Sequence, residues 1–110
     1  IKEEINLIEQ NNINHIEALV SDEGNWIAYC WTYYNKKNKS GRLSMVGVRE
    51  GFRGNGTAKI VTINSLIKIF KLGCNKIELE VDDSNKSAKK IYFQLGFSIS
   101  NNLNWYQVTK

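Results

Sequence analysis

Val46-Gly47-Val48-Arg49-Glu50-Gly51-Phe52-Arg53-Gly54-Asn55-Gly56-Thr57-Ala58 is the stretch from which this chain is best read. An apolar strand end runs into a loop with three glycines, and helical spacing begins beyond it. Glycine lets a backbone turn its N–H groups outward without a Cβ in the way. The first turn of a helix adds unpaired N–H donors and the positive end of the helix dipole. Strand, glycine loop and helix together make an anion site of the kind that holds a phosphate or pyrophosphate, and Arg53 would add a permanent charge. A glycine turn that only joins strand to helix has the same spacing, so spacing alone leaves both readings open. Two nucleotide fingerprints do not fit. No G-x-x-x-x-G-K-[ST] string occurs, and Lys59 stands where G-x-G-x-x-G would need its third glycine.

Downstream of the loop, Ala58, Val61, Leu66 and Phe70, with Ile60, Ile63, Ile67 and Ile69, predict a helix that is apolar over much of its circumference and largely buried. Gly73 is its stop. Residues 76–81 alternate strictly, with Ile77, Leu79 and Val81 on one face and Lys76, Glu78 and Glu80 on the other, which predicts a strand. Asp82, Asp83 and Ser84 are candidate N-caps for a second helix with the stripe Ala88, Ile91, Tyr92 and Leu95. Gly96 ends that helix, and Phe97 can fold back on its last turn in a Schellman-type stop. Residues 97–99 and 105–108 read as two closing strands around an Asn-rich loop.

Upstream, residues 42–48, 26–34 and 15–20 read as strands joined by polar turns at 35–41 and 21–25, an antiparallel meander. Ile1, Ile5 and Ile8 are spaced for a short opening helix that the Asn11-Asn12 pair would end. The strand–helix–strand unit over 42–81 requires a parallel pair inside a mixed sheet. The expected fold class is therefore α/β (α+β), with a mixed, mostly antiparallel sheet, a central parallel pair and flanking helices.

A length of 110 residues fits one domain, and 42% hydrophobic residues suffice for a core. Proline is absent, so no rigid linker divides the chain. The longest apolar run is too short for a membrane span, and no basic-then-apolar leader opens the sequence. Ile1 rather than methionine comes first, as expected of a trimmed or processed chain. Cys30 and Cys74 lack metal-ligand spacing and read as free thiols of a reducing cytosol, with no metal expected. His15 stands alone and reads as a packing or surface residue. A net charge of +4 suits a nucleic acid and a phosphorylated cofactor equally.

The string Arg53-Gly54-Asn55-Gly56-Thr57-Ala58 resembles the [RQ]-x-x-G-x-[GA] loop of the GNAT superfamily of N-acetyltransferases. Val46-x-Val48 fits the strand end before it. Residues 79–88, followed by Tyr92, Leu95, Gly96 and Phe97, resemble the family's strand and N-x-x-A-x-x-x-Y-x-x-x-G-F. The likeness is greatest to bacterial acetyltransferases of protein N-termini, including those of ribosomal proteins, and covers about residues 15–110. It implies one GNAT-like domain over residues 1–110 that lacks the family's opening strand and one helix, so that a partner chain could complete the acceptor site.

The resemblance also implies roles. Acetyl-CoA would lie between the strands ending near Val48 and Val81. The backbone of Val46, Gly47 and Val48 would pair with its pantetheine arm. The N–H groups of Gly54, Asn55, Gly56, Thr57, Ala58 and Lys59 would hold the pyrophosphate beside Arg53, and Asn85 would hydrogen-bond the pantetheine or phosphate side. Glu80 matches the candidate general base and Tyr92 the general acid. A solvated glutamate beside Glu78 and a packed tyrosine are the corresponding structural readings. Lys86, Lys89 and Lys90 could reach the terminal phosphate or form a solvated face. The implied partners are acetyl-CoA and an amine acceptor, a protein N-terminus or a small amine, with a homodimer as a family-based expectation. A cytoplasmic enzyme without metal is expected. Two rivals are a non-catalytic acyl-CoA sensor of the same fold and a basic nucleic-acid-binding domain built on Trp26, Trp31, Tyr33 and Tyr34.

Overall fold

The computed structural model describes residues 12–100 and 104–110. The opening helix expected around Ile1, Ile5 and Ile8 lies outside these residues. The described elements are β1 (Asn12–Val20), β2 (Trp26–Asn35), β3 (Ser40–Val48), α1 (Thr57–Lys71), β4 (Lys76–Glu80), α2 (Lys86–Gln94), β5 (Ser98–Ile99) and β6 (Trp105–Thr109). The strands form one sheet in the order β1-β2-β3-β4-β6-β5. β1, β2 and β3 are the antiparallel meander, β3 and β4 run parallel, and β6 lies antiparallel between β4 and β5. This is the mixed, mostly antiparallel sheet expected from the sequence. β1 starts earlier than the sequence pattern suggested, because Asn12 and Asn14 pair with Asn35 and Tyr33 without contributing apolar alternation.

Ala28, Cys30, Thr32 and Tyr34 alternate onto the core face of β2, where α1 covers them. The Thr32 and Ser65 hydroxyls hydrogen-bond at 3.1 Å, and the Tyr34 hydroxyl donates to the Leu72 carbonyl at 2.8 Å, so the few polar groups in this layer are satisfied. Ile77, Leu79 and Val81 continue the core, and Tyr92 and Leu95 of α2 pack against it. α1 stops as expected: Gly73 has a φ of 115°, and the Cys74 N–H returns to the Ile69 carbonyl at 3.3 Å. α2 ends in the Schellman geometry expected at Gly96. The Phe97 N–H donates to the Tyr92 carbonyl (3.0 Å) and the Gly96 N–H to the Phe93 carbonyl (3.1 Å), and the Phe97 ring meets Tyr92 edge-on at 5.6 Å.

Two expectations need correction. α1 is not buried around most of its surface: Ile60 and Ile67 are 50% and 48% exposed, because only the side bearing Val61, Thr62, Ser65, Leu66 and Ile69 meets the sheet. The N-cap of α2 is Asn85, whose side chain accepts the Ala88 N–H at 3.2 Å, and not Asp82, Asp83 or Ser84. Asp82 instead accepts the Ser84 N–H and hydroxyl in a turn of its own. Those bonds hold the Asp82 carboxyl below its usual range, the hydroxyl contributing most.

What positions the site is an interruption in β3. β3 is in register with β4 over only three pairs, Ser40–Lys76, Gly41–Ile77 and Arg42–Glu78. On the β2 side the register shifts there too: Thr32 faces Leu43 but Trp31 faces Met45, which leaves Ser44 as an extra residue in β3. Such a bulge bends a strand and increases its twist. β3 and β4 therefore part just beyond Arg42, and the backbone groups of residues 43–48 that face β4 are left without a strand partner.

Gly41 sits at the last closely packed point before this parting. A Cβ there would lie 2.9 Å from the Cys74 Sγ, 2.9 Å from the Tyr33 carbonyl oxygen and 3.1 Å from the Tyr34 Cβ. Because backbone must move to admit it, Gly41→Ala is expected to cost about 1–3 kcal/mol and to lower the thermal midpoint by roughly 4–15 °C. Thermal unfolding followed by circular dichroism checks this; an unchanged midpoint would contradict the packing described.

Candidate active site

The parting of β3 and β4 opens a cleft of about 1050 Å³. Its walls come from the free half of β3, the glycine loop with the start of α1, the end of β4, and α2. Of the residues singled out in the sequence, Val46, Gly47, Val48, Arg53, Gly54, Gly56, Thr57, Ala58, Lys59, Glu80, Asn85 and Tyr92 all line this one cleft; Asn55 does not. Residues up to 46 positions apart (Val46 and Tyr92) are thus brought to one place by a strand–helix–strand–helix path.

At the loop end, Gly51, Gly54 and Gly56 all have positive φ, 93°, 83° and 75°. Gly56 is the N-cap of α1, in the left-handed region and with no side-chain cap bond. The Ile60 N–H is the first to find its helical acceptor, the Gly56 carbonyl at 3.1 Å. The preceding amides of Thr57, Ala58 and Lys59 are those a helix start leaves unpaired, and the dipole is positive there. No acidic residue lies in this first turn to compete with an incoming anion. The loop is braced by its own side chains: the Arg53 Nε–H donates to the Val48 carbonyl at 3.3 Å and the Thr57 hydroxyl to the Phe52 carbonyl at 3.3 Å. The Arg53 guanidinium keeps its other donors free for a ligand.

The far wall is tied to the near one. Lys59 Nζ donates to Gln94 Oε1 at 3.4 Å, joining α1 to α2 across the cleft. Asn85 serves at once as cap of α2 and as wall, its Oδ1 occupied by the Ala88 N–H and the Ser87 hydroxyl. Its side-chain amide N–H groups are the part that could meet a ligand. Lys90 lines the cleft, whereas Lys89 is held by Asp83 at 2.7 Å.

At the inner end, Tyr92 is half-buried, and burial, with a smaller contribution from Cys30, pushes its phenol up to about 12. Tyr92 therefore keeps its proton throughout the neutral range and can donate it in a hydrogen bond. Full transfer to a thiolate with a parent pKa of about 8.5 would be uphill without further help. Cys30 is itself raised by burial, opposed by hydrogen bonds from Ser65 and Thr62, so it is a neutral thiol. Glu80 stands exposed at the end of β4, cross-strand from Trp105. Sequence reasoning missed Ser44, Met45, Thr62 and Gln94. Ser44 owes its place to the bulge and Gln94 to the approach of two helices, and neither leaves a local signal.

An acidic group whose pKa rises on folding stabilises the fold fully below its unfolded value. For Tyr92 that contribution is present below about pH 10 and is lost as pH climbs toward 12. Phenolate absorbance titration should show a late-ionising component that is lost in Tyr92→Phe; an unchanged late component would contradict this assignment.

The structure thus places one open cleft between parted parallel strands, with a glycine-rich loop, a helix start and a protonated tyrosine on its walls. The chain belongs to the acetyltransferase (GNAT) family, whose model matches residues 2–97. Among curated relatives, the mycothiol acetyltransferase of Streptomyces avermitilis is 32% identical over 80 residues, 73% of this chain and 26% of that protein. This chain thus spans about a quarter of the length of that relative. The spermidine N-acetyltransferase of Vibrio cholerae superposes with a TM-score of 0.80 at 19% identity, over 98% of this chain and 71% of that one. The ribosomal-protein-alanine N-acetyltransferase of Escherichia coli gives 0.74 at 17% identity, over 98% and 74%. At such identities the two structures show the fold.

Proposed function

We propose that this chain transfers an acetyl group from acetyl-CoA to a primary amine by direct attack in a ternary complex. The observation that carries the reading is the convergence of the unpaired amides at the start of α1, the free edge of β3 and the Tyr92 phenol on one cleft. The amides of Gly54 and of residues 56–59, with Arg53, would bind the pyrophosphate, and the free backbone of residues 46–48 would pair with the pantetheine amides. A β3 amide at the parting would stabilise the oxyanion. Glu80, directly or through water, takes a proton from the amine as the N–C bond forms. Tyr92 hydrogen-bonds the sulfur as the C–S bond breaks; the thiolate leaves as the thiol with a proton passed through Tyr92, whose phenol is restored from solvent while Glu80 returns to solvent the proton taken from nitrogen, so the step balances. No cysteine nucleophile is involved, in keeping with the burial of Cys30 and Cys74.

The relatives are named for mycothiol, spermidine and a ribosomal protein's alanine, so the family alone does not select the acceptor. The resemblance in the loop and α2 favours a protein or peptide N-terminus. A cytoplasmic setting suits the two free thiols, and a homodimer is the assembly to look for. Among the described residues no helix is long and apolar enough to cross a membrane, and no cluster of three His, Cys, Asp or Glu could hold a metal ion.

Calorimetric titration with acetyl-CoA, with CoA and ATP as comparators, tests the coenzyme site. One equivalent should bind, and Gly56→Val should weaken binding about 10-fold or more, since a side chain strains the left-handed cap and crowds the amides. Tyr92→Phe should lower kcat by roughly 10- to 100-fold while leaving acetyl-CoA affinity within about 2-fold. Absence of binding by folded chain would end the coenzyme reading. Unchanged turnover in Tyr92→Phe would remove Tyr92 from the chemistry.

A further inference from the structure

Both helices lie on one face of the sheet, and the described residues leave the other face open. On that face run Ile16, Trp31 and Met45 in one cross-strand row, 54%, 36% and 50% exposed. Beside them stands Arg42, the last residue of β3 registered with β4, where it faces Glu78. Its guanidinium reaches across β4 to lie 4.5 Å from the centroid of the Trp105 ring. Trp105 is in turn the cross-strand partner of Glu80. A cation and a carboxylate therefore share one neighbourhood of the sheet at the point where β3 and β4 part. They are not joined to each other: among the described residues the ion pairs are His15–Glu17, Lys76–Glu78 and Lys89–Asp83, and Arg42 is in none of them.

The charges at this rim decide what it could receive. Glu78 is neutralised by Lys76 at 3.0 Å. Glu80 and Arg42 remain, one of each sign. A polyamine, with several positive charges, would find Glu80 beside a repelling guanidinium, and the next carboxylate on the cleft wall, Asp82, already accepts the Ser84 N–H and hydroxyl. A guanidinium placed over an indole, 4.5 Å from its centroid, is partly fixed by that contact and loses less side-chain freedom on binding an anion. The arrangement is complementary to a molecule with a positive and a negative end.

Resting on the acetyltransferase reading above, we propose that the acceptor enters from this open face and is an amine that also carries an anion. Glu80 receives the ammonium end and deprotonates it. Arg42 holds a carboxylate or phosphate, and Met45 with Trp31 offers an apolar wall to the atoms between. Arg42 is a specificity residue; its anion is a spectator to the step in which the N–C bond forms, the C–S bond breaks and one proton leaves the nitrogen. A free amino acid and a peptide N-terminus with an acidic side chain share this chemistry.

The test uses the whole chain with acetyl-CoA for turnover and with CoA for binding. One arm compares amino acids from glycine to aminohexanoate with the alkylamines and diamines of matching length. The other compares alanyl-aspartate amide with alanyl-asparagine amide. At the best length the anion-bearing amine should exceed its uncharged counterpart about 10-fold or more in kcat/KM or affinity, as a charge-assisted bidentate contact allows. Arg42→Gln should reduce that ratio to about 2 or less, and Arg42→Lys should retain part of it. The arm with the larger ratio identifies the source. Preference for diamines or alkylamines, or a ratio that survives Arg42→Gln, overturns the proposal. A chain that binds acetyl-CoA but neither binds nor acetylates any of these amines overturns the proposal alone, whereas failure to bind acetyl-CoA removes the reading beneath it.

Discussion

Beyond Arg42 the second half of β3 keeps one neighbour, β2, and loses the other. Unpaired backbone N–H and C=O groups must be satisfied by water or by a ligand. A ligand with amide groups along its length can satisfy them as a strand would. The extra residue at Ser44 makes this free edge possible, because it lets β3 stay with β2 while bending away from β4. Everything else at the site is placed around that parting: the start of α1, the wall of α2, Glu80 and Tyr92 all line the cleft it opens.

The cleft divides the labour between backbone and side chains in a way that suits a large anionic coenzyme. Backbone amides at a helix start need no counter-ion of their own and do not titrate, so they bind phosphate without pH dependence. Side chains then supply what a backbone cannot. Arg53 adds charge, Asn85 adds adaptable donors, and Tyr92 keeps a proton because partial burial disfavours its phenolate. The Lys59–Gln94 bond joins the two helices over the same space.

Much of this was legible because it depends on residues with few uses. Gly56 and Gly73 bound α1, and Gly96 with Phe97 closes α2, since each needs a backbone conformation that other residues avoid. The alternation of residues 76–81 announced a strand with Glu80 on its polar face. The bulge at Ser44 was not legible, because nothing in the local pattern separates a bulged strand from a regular one; it exists to reconcile β3 with two neighbours far away in sequence. The choice of Asn85 over Asp82, Asp83 or Ser84 as cap was equally hidden. All four are good capping types, and only the path of the chain out of β4 selects among them. The exposure of Ile60 and Ile67 follows from α1 having the sheet on one side only. The meeting of Arg42 with Trp105 spans three strands and has no sequence signature.

The free edge of β3 and the start of α1 must act as one binding site if the cleft is to hold the coenzyme. Amide-resolved NMR titration of the chain with acetyl-CoA tests this directly. The largest shifts should fall together on residues 46–48, 54–59 and 85–92, with the hairpin tip at 36–39 unmoved. Shifts centred on the aromatic open face at Trp31 and Tyr33, or spread evenly over the lysines, would contradict it.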